Sequence, residues 1–467
     1  MTHAMAARRT PIQGEAAVTD LHARLDAVVP ELIAQHHVPG VAVGVTLDGR
    51  TLTTGYGVTN VAHPIAVDPH TLFQVGSISK TLLGAVIGRL LEQGALDLDS
   101  PVAPLFDAGS GIDERITLRH TITHTSGIDA QNMIADAPRI LADHCDDSIQ
   151  ASLRHFIHQP LMFEPGTDFT YSGPGIMLAA AAVERATGRP YADLLRELVI
   201  GPAGMEITGT SADEAIFHRV AAPHGRAADG SAELLIDRGW QRHWQLPGWD
   251  VPGGGVISNV ADLLRYAAWS LSDAAPRRLF EPLAGQGIQG HDIGLAWHLD
   301  ELGGHRVVSH SGLTIGYASR MVLMPSVGLS YAVLTNSLHG GGIVSEVEKT
   351  ILDAAGVSRA TPSAAPIPAD LASALRGTYD CGFYGTISIV PGSRHGEMAI
   401  VANGATIREG GYVIELEGAD RVALAGPDCL ITLSDDGTPG PLVGFVQKAD
   451  GIVSAVRYHS RLNRRIA

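Results

Sequence analysis

A serine and a lysine three residues apart, in Gly76-Ser77-Ile78-Ser79-Lys80, open the stretch of this chain that points most directly to nucleophilic chemistry. Ile78, Leu82, Leu83, Val86, Ile87, Leu90 and Leu91 form an apolar stripe at helical spacing, and Gly94 is placed to end the helix. The spacing predicts a central, buried helix with Ser77 in its first turn and Lys80 on the same face. The partial positive charge of a helix N-terminus, together with burial, disfavours an ammonium group and favours the neutral amine. A neutral Lys80 can accept the Ser77 proton as Ser77 attacks a carbonyl. The bland alternative is a capping serine followed by a surface lysine. Two features count against it. Only three of the 33 basic residues are lysines (Lys80, Lys349 and Lys448), and lysine, unlike arginine, can lose its proton in a protein. A surface cap would also rather carry a glutamate than a cation in the first turn.

Other groups can support such a pair. Phe163-Glu-Pro-Gly166 turns the chain toward Tyr171-Ser172-Gly173. A tyrosine beside a serine and a lysine can relay a proton to the leaving group, although a tyrosine after a Pro-Gly turn is more often a packing residue. His310-Ser311-Gly312 lies between two strand-like runs, where a glycine admits close approach of a ligand backbone. The N–H of Leu313 can join that of Ser77 in an oxyanion hole; His310 taken alone reads as a turn histidine. His124-Thr-Ser-Gly127 and Pro252-Gly-Gly-Gly255 read as the lining of a cleft, and Asn259-Val-Ala-Asp262 as an N-cap with an acid in the first turn.

These residues need a scaffold, and its outline is readable. Leu21, Leu25, Val28 and Leu32 predict a helix from about Asp20 to Gln35, ended by Pro39-Gly40. Val41–Leu47 and Thr51–Tyr56 flank Asp48-Gly49 as a hairpin. A helix-rich stretch runs from Ser77 to about Ala203. Strands are expected at 306–309, 318–324 and 329–335, and a helix at about 342–355. Residues 359–370 are rich in Pro and Ala and read as a linker. Beyond it, seven short strand candidates at 386–390, 397–402, 412–416, 421–425, 430–434, 442–446 and 452–458 predict a small antiparallel barrel or sandwich. The expected organisation is a tail (1–19), a catalytic domain (20–358), the linker, and an all-β domain (371–467).

Composition narrows the function classes. With 45% hydrophobic and 18% charged residues the chain can build a large core. A net charge of −16 argues against nucleic acid or an anionic membrane as partner. Cys145, Cys381 and Cys429 form no CxxC pair, and a Cys381–Cys429 disulfide has only shared location in its favour. The 21 histidines do not fall at metal-ligand spacings, so neither a metal nor a cofactor is expected. No segment reads as a membrane span, and the first 18 residues lack the apolar run of a signal peptide, which reads as cytoplasmic.

Taken together, the motifs resemble the serine β-lactamase and penicillin-binding-protein superfamily, in the branch of class C β-lactamases, D-alanyl-D-alanine carboxypeptidases, D-aminopeptidases and β-lactamase-like carboxylesterases. The matching residues are Phe73-Gln-Val-Gly-Ser77-Ile-Ser-Lys80, Thr121–Gly127, Phe163–Gly166 with Tyr171, Pro252–Asp262, and His310-Ser-Gly312 with Leu334-Thr-Asn-Ser337. They keep order and spacing over roughly residues 20 to 355. The resemblance implies an α/β fold: an antiparallel sheet with flanking helices beside an all-helical subdomain, followed here by the small all-β domain that some D-aminopeptidase-like members carry. It implies Ser77 as nucleophile, Lys80 and Tyr171 as the proton-handling pair, and His310-Ser311-Gly312 as the substrate edge. The family's second motif is usually Tyr-x-Asn, whereas here Gly173 offers no side-chain amide. In many β-lactamases a lysine stands where this chain has His310, which holds a carboxylate less well at neutral pH.

These departures favour a hydrolase of esters or amides, acting on a small molecule or short peptide, over an efficient β-lactamase. A β-lactamase remains the rival within the enzymes, and an acyl-binding sensor that acylates Ser77 and releases slowly is the rival outside them. Homo-oligomerisation stays open.

Overall fold

A computed structural model describes residues 11–129, 148–235, 244, 246–358, 364–380, 385–393, 397–403, 417–434, 439–458 and 460–467. Five helices and fourteen strands recur below. The helices are α1 (Pro11–His36), α2 (Ser79–Glu92), α3 (Gly173–Thr187), α4 (Val260–Ser270) and α5 (Gly341–Ala354). The strands β1 (Gly40–Leu47), β2 (Arg50–Gly57), β3 (His298–Leu302), β4 (His305–Thr314), β5 (Tyr317–Met324) and β6 (Leu329–Thr335) belong to a sheet. The strands β7 (Gly377–Asp380), β8 (Thr386–Pro391), β9 (Met398–Asn403), β10 (Glu417–Leu424), β11 (Cys429–Leu433), β12 (Pro439–Gln447), β13 (Val453–Tyr458) and β14 (Arg461–Arg465) close into a barrel. The chain divides into two compact units. One takes residues 1–89, 190–280 and 297–359; the other takes 90–189, 281–296 and 360–467.

In the first unit the antiparallel sheet runs in the order β2-β1-β6-β5-β4-β3. The hairpin β1–β2 turns at Asp48-Gly49, both with positive φ, as its Asp-Gly signal requires. β1 is buried along nearly its whole length, which fits its unbroken apolar run, because both its faces are covered. Val41, Val43 and Val45 pack with Leu21, Leu25 and Val29 of α1 and Ile343, Val347 and Ile351 of α5. The opposite face meets α4, so closely that a Cβ on Gly44 would lie 3.0 Å from the Val260 Cβ. α1 begins at Pro11, nine residues before the apolar pattern predicts, where Glu15, Ala16 and Ala17 are good helix formers.

In the second unit α3 is capped by Ser172, whose Oγ accepts from the Gly175 N–H at 3.1 Å. The barrel closes where β7 pairs with β14, Tyr379 opposite Arg465. Leu375, Tyr379, Ile389, Ile400, Leu430, Val443 and Val456 fill its interior. The apolar pattern misses β7 and β14. β14, Arg461-Leu-Asn-Arg-Arg, is too polar to read as a strand, and it pairs through its main chain. Ala365 exchanges two backbone hydrogen bonds with Leu424, at 2.9 and 2.8 Å, so the described end of the Pro/Ala-rich segment is tied to the barrel. The strand expected at 412–416 lies outside the described residues, as do Cys145 and Cys381. Cys429 carries a buried free thiol, pushed up to about 11 by its burial and by the neighbouring Asp428 charge. Among the described residues no helix is long and apolar enough to cross a membrane.

Candidate active site

Ser77 sits in a 3₁₀ turn, Gly76–Ile78, that feeds directly into α2. The turn follows a two-residue strand, Phe73–Gln74, paired with Ile257–Ser258. Ser79 holds it in place: its Oγ donates to the Gly76 carbonyl at 2.7 Å and accepts from the Val256 N–H at 3.1 Å. Lys80 leaves α2 in its first turn. Its Nζ donates to Ser77 Oγ at 2.9 Å and, through a shorter bond, to the Gly253 carbonyl. Only 4% of Lys80 is exposed, while Ser77 is half-buried. Gly253 lies in the turn Val251–Gly255, so the glycine run Gly253-Gly-Gly255 meets the lysine rather than merely lining a cleft.

The Ser77 turn rests on β4. Gly76 has φ +55°, a region open to glycine, and a Cβ there would sit 2.8 Å from the Leu313 nitrogen. A Cβ on Gly312 would lie 2.1 Å from the Val75 carbonyl oxygen, so only glycine lets strand and turn approach this closely. Ser319, opposite Gly312 in β5, secures the contact by donating to the Val75 carbonyl at 2.8 Å. The backbone N–H groups of Ser77 and Leu313 are thereby brought into one neighbourhood.

His310, Ser311 and Gly312 lie inside β4, whereas the apolar pattern ends the strand at Ser309. Side chains alternate along a strand, and the three do not share a face. Ser311 and Leu313 are exposed, and His310 and Gly312 are buried. Ser311 Oγ accepts from Arg320 Nη1 at 3.0 Å. His310 pairs through Nδ1 with the Ser311 carbonyl at 2.6 Å, and its ring centroid lies 5.0 Å from that of His298.

Asp250, immediately before the glycine turn, is a group that sequence reasoning missed. Its enclosure lifts the carboxyl to about 6, and the Lys80 cation acts in the opposite direction. A lone aspartate ahead of a glycine run carries no signal in sequence; the fold reveals it.

Tyr171 belongs to the second unit. It directly precedes the N-cap of α3, and Gly173 is the first residue of that helix. The Tyr171 N–H donates to the Ser460 carbonyl at 2.9 Å, in the turn between β13 and β14. The Arg461 guanidinium lies 5.9 Å from the Tyr171 ring centroid. Leu462 N–H reaches Thr170 Oγ1 at 3.2 Å, and Arg457 is ion-paired with Asp168. His124, buried and at φ +60°, accepts from the Ser172 N–H through Nδ1 at 3.1 Å, and its ring centroid lies 4.5 Å from that of Tyr171. Its positive φ places the ring there, and the motif His124–Gly127 was the available clue. Among the described residues no three His, Cys, Asp or Glu side chains converge as a metal site.

The Beta-lactamase family model matches residues 25–356, and the chain belongs to that family. It is a hydrolase of the serine β-lactamase and penicillin-binding-protein superfamily. Penicillin-binding protein 4 of Amycolatopsis lactamdurans is 28% identical over 77% of this chain and 97% of its own length. Esterase EstB of Burkholderia gladioli is 28% identical over 69% and 92%, and D-aminopeptidase of Gluconobacter oxydans 26% identical over 86% and 76%. The crystal structure of SurE superposes with a TM-score of 0.68 at 22% identity, covering 96% of this chain and all of SurE. The octameric penicillin-binding protein homologue from Pyrococcus abyssi superposes at 0.60 and 19% identity, over 95% of this chain and 99% of its own.

Proposed function

We propose that this chain cleaves an ester or an amide through an acyl-enzyme on Ser77, as an esterase or a D-amino-acid-type peptidase. The observation that carries the reading is the 2.9 Å hydrogen bond from the buried Lys80 Nζ to Ser77 Oγ. In this reading Ser77 Oγ attacks the carbonyl carbon while its proton passes to Lys80. The N–H groups of Ser77 and Leu313 receive the oxyanion. Lys80 and Tyr171 deliver the proton to the departing alcohol or amine, and water then hydrolyses the acyl-enzyme by the reverse route. The edge of β4 at His310-Ser311-Gly312 lines the substrate.

Esters and amides are favoured over β-lactams because Gly173 enters α3 without a side-chain amide and His310 is buried against its own strand. The likeness to an esterase and a D-aminopeptidase is in keeping with ester or amide hydrolysis. The test is Ser77→Ala assayed on p-nitrophenyl acetate, with intact-mass analysis of the wild type after exposure to that ester, a D-amino-acid amide and nitrocefin. The expected result is a loss on the order of 10³-fold or more and an adduct on Ser77. Activity within tenfold of wild type would sink the assignment. An adduct without steady-state turnover would make the chain a sensor, and efficient nitrocefin turnover would make it a β-lactamase.

A further inference from the structure

The two N–H groups assigned to the oxyanion, those of Ser77 and Leu313, lie on chain segments far apart in sequence. Donors of this kind act on a developing charge only when held within about 0.5 Å of the productive geometry. β4 is lightly held where this matters. β3 pairs with it only from His305 to Ser309, so beyond Ser309 the described ladder is that with β5 alone. Two side-chain hydrogen bonds tie this region to the segment that leads into Ser77. Ser319 of β5, opposite Gly312, donates from Oγ to the Val75 carbonyl at 2.8 Å. Thr314, at the end of β4, donates from Oγ1 to Gln74 Oε1 at 3.0 Å. The first bond secures the residue before Leu313, and the second secures the residue after it.

Gln74 is an unexpected residue for its position. It stands in the run Leu72-Phe73-Gln74-Val75, is 1% exposed, and its backbone is fixed by pairing with Ile257. Its Nε2 is buried with no partner, and among the described residues the bond to Thr314 is the one its side chain makes. Burying an amide with its N–H groups unmet costs stability that a leucine there would not. The acceptor for Thr314 is what the amide supplies and a leucine lacks.

We propose that Gln74 and Thr314 are positioning residues for the oxyanion hole. Their hydrogen bond fixes the end of β4 to the strand entering the Ser77 turn, and so sets the separation of the Ser77 and Leu313 N–H groups. The proposal rests on the reading of Ser77 and Leu313 given above. With Ser319 alone, the strand has one attachment about which its end can swing. With Thr314 as well, Leu313 is held at both flanks. Neither side chain is asked to touch the reacting atoms; each acts through the Leu313 N–H. That N–H meets a full negative charge only in the transition state, so the effect belongs to the rate of acylation.

The experiment compares wild type with Thr314→Val, which keeps the shape and loses the hydroxyl, Thr314→Ser, which restores it, Gln74→Leu, and the Thr314→Val/Gln74→Leu double variant. Two constants are measured per Ser77 labelled by p-nitrophenyl acetate, so that a loss of folded protein does not register. They are kcat/KM for that ester and the inhibition constant of phenylboronic acid. The boronic acid mimics the tetrahedral state: Ser77 Oγ bonds to boron as its proton passes to Lys80, no group leaves, and a boron-bound oxygen takes the place of the oxyanion. Thr314→Val should lower kcat/KM by about tenfold and weaken the boronic acid by a similar factor, while Thr314→Ser stays within about threefold of wild type in both. Gln74→Leu should match Thr314→Val, and the double variant should be no worse than either single one. Thr314→Val within about twofold of wild type overturns the proposal. So do equal losses in the valine and serine variants, or a fall in kcat/KM with unchanged boronic acid affinity. If Gln74→Leu fails to fold, the two Thr314 variants decide alone. Peptide mapping separates the two levels: an adduct on a residue other than Ser77 overturns the reading beneath as well, whereas a Ser77 adduct with Thr314→Val unimpaired overturns this proposal alone.

Discussion

The Ser77–Lys80 pair turns on a chemical difference between two cations. Arginine would preserve the positive charge at position 80 and could still reach the Gly253 carbonyl, but it cannot act as a base. Lys80→Arg is therefore expected to be nearly as damaging as Lys80→Ala, each lowering the acylation rate with p-nitrophenyl acetate by on the order of 10²–10⁴-fold. Substantial activity in the arginine variant would make Lys80 an electrostatic anchor and move the base elsewhere, with Tyr171 the next residue to test. The sequence already singled out this pair, since its spacing and the scarcity of lysine are local facts. It did not disclose Asp250, whose relation to Lys80 exists only because residues 170 positions apart fold against one another.

Two element-scale features position the site. The first is the start of α4, just after the strand that pairs with Phe73–Gln74. Asp262 is fully buried there and accepts from the N–H groups of Glu206 and Ile207 at 3.0 and 2.9 Å, from Thr208 Oγ1 at 2.8 Å and from Arg265 Nη1 at 2.7 Å. Replacing it with alanine strands the two backbone N–H groups, while Arg265 keeps Glu206 and Thr208 keeps Ser258. Asp262→Ala should cost about 1–3 kcal/mol, read as a lower midpoint of urea unfolding; a midpoint unchanged from wild type would mean that the network contributes little. The second feature is His224, fully buried on the short strand His224–Arg226. Its Nε2 accepts from the Val61 N–H at 3.3 Å, so Nδ1 carries the proton and donates to the Asn336 carbonyl at 3.0 Å. This is a neutral imidazole, and burial holds its pKa below the ordinary value. The folded state thus binds fewer protons than the unfolded state, and stability rises with pH. His224 contributes most above about pH 6.5, where the unfolded side chain is also neutral, and its contribution is lost as pH falls below that value. Thermal melts between pH 8 and 5 should decline more steeply for wild type than for His224→Gln; parallel declines would remove His224 as a source of acid sensitivity.

At the scale of the whole molecule, the barrel belongs to the same compact unit as the segment that carries Tyr171. The β13–β14 turn supplies the acceptor for the Tyr171 N–H, and β14 supplies the donor for Thr170. Ending the chain after Gly356 removes both partners. The truncated protein should lose about tenfold or more in kcat for small esters, because Tyr171 is no longer held, while Ser77 should still be labelled by an activated ester. Unchanged turnover of small esters with new acceptance of bulky ones would assign the barrel a gating role instead. A fall in native mass without either change would make it an oligomer contact.

The sequence by itself determined the local and periodic features. The helix stripe behind Ser77, the Asp-Gly hairpin, the Asn259 cap, six of the eight barrel strands and the resemblance carried by ordered motifs all rest on neighbours within a few residues. Only the tertiary structure decided the rest. It seated β4 against the Ser77 turn through two glycines, carried His310-Ser311-Gly312 into the strand, and set a barrel turn on Tyr171. It also raised Asp250 by enclosing it. Each of these depends on long-range approach of backbone and on removal of water, and neither leaves a period or a spacing in the chain.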